Sequence, residues 1–248
     1  MLRFLKRSKR TVDAEAVSSH EVIRNLDAPD ASSGPLEDHE KDVLAGVRRR
    51  LSSSDFDLPT SGDDPAKTME SHLLGDENLV GVGREVWRQI TSTAATARAL
   101  AGFMTDIDPE RGEAIGRFQE IGKVSMLAML RRESAGMPTC GTALVARVFG
   151  EGHERAGFAL ATAWKLPEEI AVVAGRHHDW ENHDEYLQSA ALASLSNRID
   201  LHLSLGQQEH FENLTDAKEL DVLDIPPDLF WDSLMAASCA FADAVQGW

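Results

Sequence analysis

His153, His177, His178 and His183 crowd one region of a chain that has only nine histidines. Imidazole is the commonest transition-metal ligand and a carboxylate can complete a site, so histidines interleaved with acids are candidate metal ligands. The densest stretch is Arg176-His177-His178-Asp179-Trp180-Glu181-Asn182-His183-Asp184. By itself it reads more simply as a polar helix end running into a solvated loop. Nucleophilic catalysis has less support, because Ser92, Ser125 and Ser134 have no base at a recognisable spacing. Gly81-Val82-Gly83 is no phosphate loop, since no strand pattern precedes it and no Lys-Ser or Lys-Thr follows. Trp164 and Trp180 read as core or interface anchors.

Helices must carry these residues. Val43, Leu44, Val47 and Leu51 share one face of a helix over 36–51, and Arg48, Arg49 and Arg50 suit its C-terminal dipole. Residues 52 to about 67 are dense in turn formers and read as a linker. From about Leu79 the pattern is a succession of helices. The first covers about 82–104, with Val86, Ile90, Ala94, Ala97, Leu100, Ala101 and Met104 at three-and-four spacing, and its Ala-rich middle admits a close neighbour. Asp108-Pro109-Glu110 starts the next helix with a cap, a preset φ and an acid; it continues through Phe118 and breaks or bends near Gly122. Further helices are expected at about 139–149, 154–164, 167–177, 184–205 and 227–245, and no run of alternating β-branched residues argues for a strand. The expected class is all-α, a single helical bundle over 79–248 preceded by a short helix and linker at 36–78 and a flexible arm at 1–35.

Composition narrows the function. A formal charge of -16 argues against a nucleic-acid surface, which needs clustered Lys and Arg. The first ten residues hold five cations and no acid, so the remainder carries -21. Leu2, Phe4 and Leu5 among those cations could touch an anionic membrane or an acidic partner; so short a segment favours a flexible tail. Cys140 and Cys239 are far apart and unpaired in spacing, which suggests small buried residues on helices and no cysteine-based zinc site. With no apolar run long enough for a membrane span or a secretory signal, the cytoplasm is the expected address.

The order of segments is more informative than any one of them. Gln119-Glu120-Ile121-Gly122-Lys123, His153-Glu154-Arg155-Ala156-Gly157, Trp164-Lys165-Leu166-Pro167, His177-His178 and Leu195-Ser196-Asn197-Arg198-Ile199 together resemble the HD superfamily, and its HDOD branch fits best. That branch has an H-x-x-x-G segment, a W-x-L-P turn and a paired His at this spacing, and Trp87-Arg88 with Thr93-Ala94 resembles the start of its central helix. The resemblance covers about 80–207.

Departures from the catalytic pattern follow from the same comparison. Catalytic HD enzymes place a His-Asp doublet where this chain has Gln119 and Glu120, a ligand His where it has Gln89, and a ligand Asp where it has Asn197. Neutral amides are poor ligands for a divalent ion that must activate water. The resemblance therefore implies a degenerate pocket at Gln89, Gln119, Glu120, His153, His177, His178 and Asn197, with no catalytic residues and no cofactor expected. Were a divalent metal to bind, Glu120, His153, His177 and His178 would hold it.

It also implies a non-catalytic module of bacterial-type signal transduction that contacts signalling proteins. Two other readings stay open: a metal-dependent phosphohydrolase or phosphodiesterase with a remodelled site, and a sensor of a small ligand such as a nucleotide.

Overall fold

The computed structural model describes residues 35–53, 58–60, 62–75, 79–135, 140–182, 185–205, 214, 217–226 and 228–246. Regular structure among them is helical throughout, as the periodicity requires. The longer elements are α1 (Asp38–Ser53), α2 (Pro65–Leu74), α3 (Val80–Ala101), α4 (Pro109–Phe118), α5 (Gly122–Glu133), α6 (Thr142–Gly150), α7 (His153–Ala163) and α8 (Glu168–Arg176). A 3-10 segment (His177–Asn182), α9 (Leu187–Leu205), α10 (Glu219–Leu223) and α11 (Phe230–Val245) complete the order. The basic tip at 1–10, most of the expected arm, and His183 lie outside the described residues.

Local chemistry sets the boundaries. Asp108 accepts a hydrogen bond from the Arg111 amide at 2.9 Å ahead of Pro109, the start signal expected there. Asp64 caps Pro65 in the same way, accepting from Ala66 and Lys67 at 3.0 and 3.2 Å. The stretch left as linker and connector thus contains α2, whose Met69 and Leu73 are fully buried. After α7, Lys165 takes a left-handed φ of 56°. The Leu166 amide then donates back to Ala161 O at 3.0 Å, ending the helix with a tight reversal into Pro167.

Two apolar clusters fill the bundle. One gathers Val47, Leu51, Met69, Leu73, Ile90, Met126, Phe149 and Leu160 from α1, α2, α3, α5, α6 and α7. The other gathers Ala97, Leu100, Ile115, Ile170, Val173, Ala190, Leu223 and Leu234 from α3, α4, α8, α9, α10 and α11. Helix α3 runs through both, and Phe118 and Leu166 pack against both. The Ala-rich half of α3 does admit a close neighbour: a Cβ on Gly116 of α4 would meet Thr93 O at 2.5 Å. Helix α5 is buried almost all round, from Gly122 to Leu130, and so shows no amphipathic stripe by which sequence could announce it.

One expectation needs correction. Cys140 is half-buried in the segment before α6, and Cys239 is exposed on α11, so neither is a buried helical residue. The expected placement fails because Cys239 falls on the outward face of an edge helix that also exposes Trp231 and Met235. Gly81 and Gly83 lie inside α3, where Gly83 serves packing: a Cβ there would meet Leu73 O at 1.8 Å.

Candidate functional site

Glu120 sits at the joint between α4 and α5. Residues 119–121 turn there through short-range hydrogen bonds, with Ile121 N donating to Phe118 O at 3.1 Å and Lys123 N to Glu120 O at 3.0 Å. The joint buries the Glu120 side chain completely. Glycines then bring the next helices in: a Cβ on Gly122 would strike His153 O at 1.8 Å, and one on Gly157 would meet Ala174 O at 2.7 Å. Those contacts explain the H-x-x-x-G spacing. The glycine one turn after His153 lets α8 approach α7, while Gly122 lets α5 pass under the start of α7.

His153 is the hub. Its Nδ1 lies 2.8 Å from Phe149 O, a carbonyl that can only accept, so Nδ1 carries the proton and Nε2 presents a lone pair. Burial holds its pKa down at about 3, the attraction of Glu120 being too small to offset it. The ring is neutral near pH 7. His178 Nε2 lies 3.1 Å and His177 Nε2 3.4 Å from His153 Nε2. The backbone change from α8 to the 3-10 segment occurs at His177, and this is how two consecutive histidines both reach one point. His178 is anchored by its amide, which donates to Glu154 Oε1 at 3.0 Å.

Glu120 faces this trio. Its Oε2 is 3.7 Å from His153 Nε2 and its Oε1 is 3.6 Å from His177 Nε2. Burial alone would raise its pKa, but Lys123 and His177 pull it well below the usual carboxylate range. Burial likewise disfavours the His177 imidazolium, yet Glu120 and then Glu154 more than compensate and raise its pKa.

The amides expected in the pocket are engaged with one another. Gln89 donates through Nε2 to Asn197 Oδ1 at 3.0 Å, and its Oε1 accepts from Lys123 Nζ at 3.0 Å. Lys123 is fully buried and also lies 3.3 Å from Glu120 Oε2. Gln119 is turned to Gly116 O at 3.4 Å. Glu120, His153, His177 and His178 are therefore brought together; Gln89 and Asn197 pair beside them through Lys123, and Gln119 makes a local bond.

Sequence reasoning missed Lys123 and Asp200. Lys123 closes the Ile-Gly-Lys motif, and a lysine there reads as a surface residue. Asp200, one turn beyond Asn197, is fully buried, accepts from Ser92 Oγ and lies 3.6 Å from Arg88 Nη1. Its signal was position: on a helix, residues 197 and 200 share a face.

The imidazoles fit one metal ion. Ring nitrogens of His153, His177 and the exposed His178 all lie within 4.8 Å of one another, with Glu120 beside His153 and His177 at 3.7 and 3.6 Å. Ligands at about 2.0–2.1 Å in a tetrahedron stand about 3.3–3.4 Å apart, and the Nε2 separations of 3.1 and 3.4 Å are close to that figure. The Nδ1 bond to Phe149 O is the outer contact that commonly fixes a ligand imidazole.

Residues 68–180 match the family model described as HDOD domain. No curated protein matches the chain. Among solved structures, the crystal structure of a proposed metal-dependent phosphohydrolase from Shewanella amazonensis SB2B is similar at 17% identity and a TM-score of 0.49, covering 92% of this chain and 90% of that one. The family match spans α2 to the 3-10 segment and takes in Glu120, the H-x-x-x-G segment, the Trp164 turn and the paired histidines.

Proposed function

We propose that this protein is a non-catalytic regulatory module that acts through contacts with signalling proteins, in the cytoplasm. One observation carries the reading. The positions that would complete a water-activating dinuclear centre hold Gln89 and Asn197, hydrogen-bonded to each other at 3.0 Å with the Lys123 ammonium against Gln89.

Contact with partners is supported by α11, which leaves Trp231 57% and Met235 63% exposed one turn apart. Large apolar side chains so placed are typical of interaction surfaces. No helix among the described residues is long and apolar enough to cross a membrane.

The test is capture of partners by tagged full-length protein from its own host, beside Trp231→Asp/Met235→Asp. Reproducible recovery of a signalling protein by the parent chain, lost in the variant while thermal stability is kept, supports the reading. Phosphate release from a nucleotide or cyclic dinucleotide panel, abolished by His153→Ala, overturns it. The histidine cluster is the observation that favours that second, hydrolytic reading.

A further inference from the structure

We propose that residues 1–10 dock on the solvent-facing stripe of α11 in the same chain and cover it until a partner takes their place. The inference rests on the regulatory reading in one respect, that α11 is the contact face, and adds the segment that competes for it.

The stripe follows from spacing. Trp231, Met235, Cys239 and Ala242 are all exposed, and their separations of four, four and three residues set them within one quarter of the helix circumference. Ser233, Leu234 and Ala237, on the opposite side, are buried against the bundle. Helix α11 is thus apolar on two sides, and among the described residues only one of them is covered.

Charge selects the occupant. Asp232 and Asp243 are exposed along one edge of the stripe, and Asp228 is exposed just ahead of the helix. Residues 219–248 hold six acids and no Lys or Arg. A second copy packed α11 against α11 would set these like charges face to face. The complement is a cationic segment with apolar side chains. Residues 1–10 have that composition, with Leu2, Phe4 and Leu5 among Arg3, Lys6, Arg7, Lys9 and Arg10 and no acid. An anionic membrane would suit the same tip, but the -21 of the rest of the chain is repelled by one.

The tether is long enough. Residues 11–34 separate the tip from Pro35 and extend to about 80 Å at most, whereas a folded body of about 210 residues has a radius of gyration of about 17 Å. The tip therefore reaches from α1, which packs in the first apolar cluster, to α11, which packs in the second. Attachment to the same chain raises its local concentration, so modest contacts suffice.

Photo-crosslinking of full-length protein carrying Phe4→p-benzoylphenylalanine, followed by peptide mapping, tests this. The expected product joins residue 4 to α11 within one chain, in a yield independent of protein concentration. Lys6→Glu/Arg7→Glu should lower that yield about fivefold or more, as should salt at about 1 M, which screens charges beyond about 3 Å. Adding Asp232→Lys/Asp243→Lys to the reversed tip should restore the yield to within about twofold, at an unchanged thermal midpoint. No α11 product, a yield indifferent to charge reversal, or no restoration by the swap would overturn the inference. Products confined to chain-to-chain dimers, or to lipid when phosphatidylserine vesicles are offered, would overturn it by giving the tip another site. Recovery of a signalling protein through α11 without the crosslink would leave the regulatory reading and remove this inference; the crosslink without any such partner would do the reverse.

Discussion

Gln89 and Asn197, 108 residues apart in the chain, are joined by a hydrogen bond of 3.0 Å inside the bundle. Each amide is buried, and the bond ties the middle of α3 to α9. Gln89→Ala leaves Asn197 Oδ1 without that donor and Lys123 without that acceptor, at an expected cost of about 1–3 kcal/mol per unsatisfied group. Urea denaturation of Gln89→Ala, Asn197→Ala and the double variant should show coupling between the sites; strictly additive losses would mean the amides do not act as a pair.

Backbone proximity at the site should make its glycines intolerant. Gly122→Ala places a methyl carbon 1.8 Å from His153 O, a backbone atom that yields only if α5 and α7 separate. A loss of about 1–3 kcal/mol or more is expected. Gly81→Ala, where a Cβ meets nothing within 4 Å, should be neutral or slightly stabilising. Equal thermal midpoints for the two variants would contradict the packing described.

Histidine titration should separate His153 from its neighbours in metal-free protein. The native ring stays neutral down to about 3, whereas the unfolded ring takes a proton near 6.5. Between those values the unfolded state binds more protons, so His153 contributes stability above about pH 6.5 that is lost as pH falls. His177, raised by Glu120, acts in the opposite sense: its contribution is present below about pH 6.5 and fades as pH rises through its native value. His153→Gln should therefore flatten the fall in urea midpoint on acidification. Ring nitrogen NMR should find His153 with its proton on Nδ1 at pH 7; a charged ring there would sink this assignment.

Trp164 anchors the segment before α2. Its Nε1 donates to Pro59 O at 2.7 Å while the ring is 7% exposed. Trp164→Phe keeps most of the apolar contact and loses the bond, with an expected cost of about 1 kcal/mol. Proteolysis within residues 58–60 should become faster in that variant; unchanged cleavage would show that the bond does not hold the segment.

Legibility in the sequence followed how local each determinant is. The Asp108-Pro109 cap, the Trp164-Lys165-Leu166-Pro167 reversal and the amphipathic run of α3 are written in adjacent residues and stand where expected. Helix α5 was not announced, because a helix buried on every side has no polar face to give it a period. Helix α2 carries the same Asp-Pro signal as α4, yet it sits among turn formers, and only the burial of Met69 and Leu73 distinguishes the two uses.

By itself the sequence determined the helical class and the residue types that stand at the motif positions, since periodicity, capping and motif order depend on residue types at fixed spacing. Only the tertiary structure decided what those residues do to each other. Whether His153 turns Nε2 inward, whether Gln89 meets Asn197 or a metal, and whether Lys123 is buried are set by contacts across 24 to 108 residues of chain. A hydrogen bond or an ion pair depends on separations of a few tenths of an ångström, and helix packing, through Gly122 and Gly157, fixes those separations.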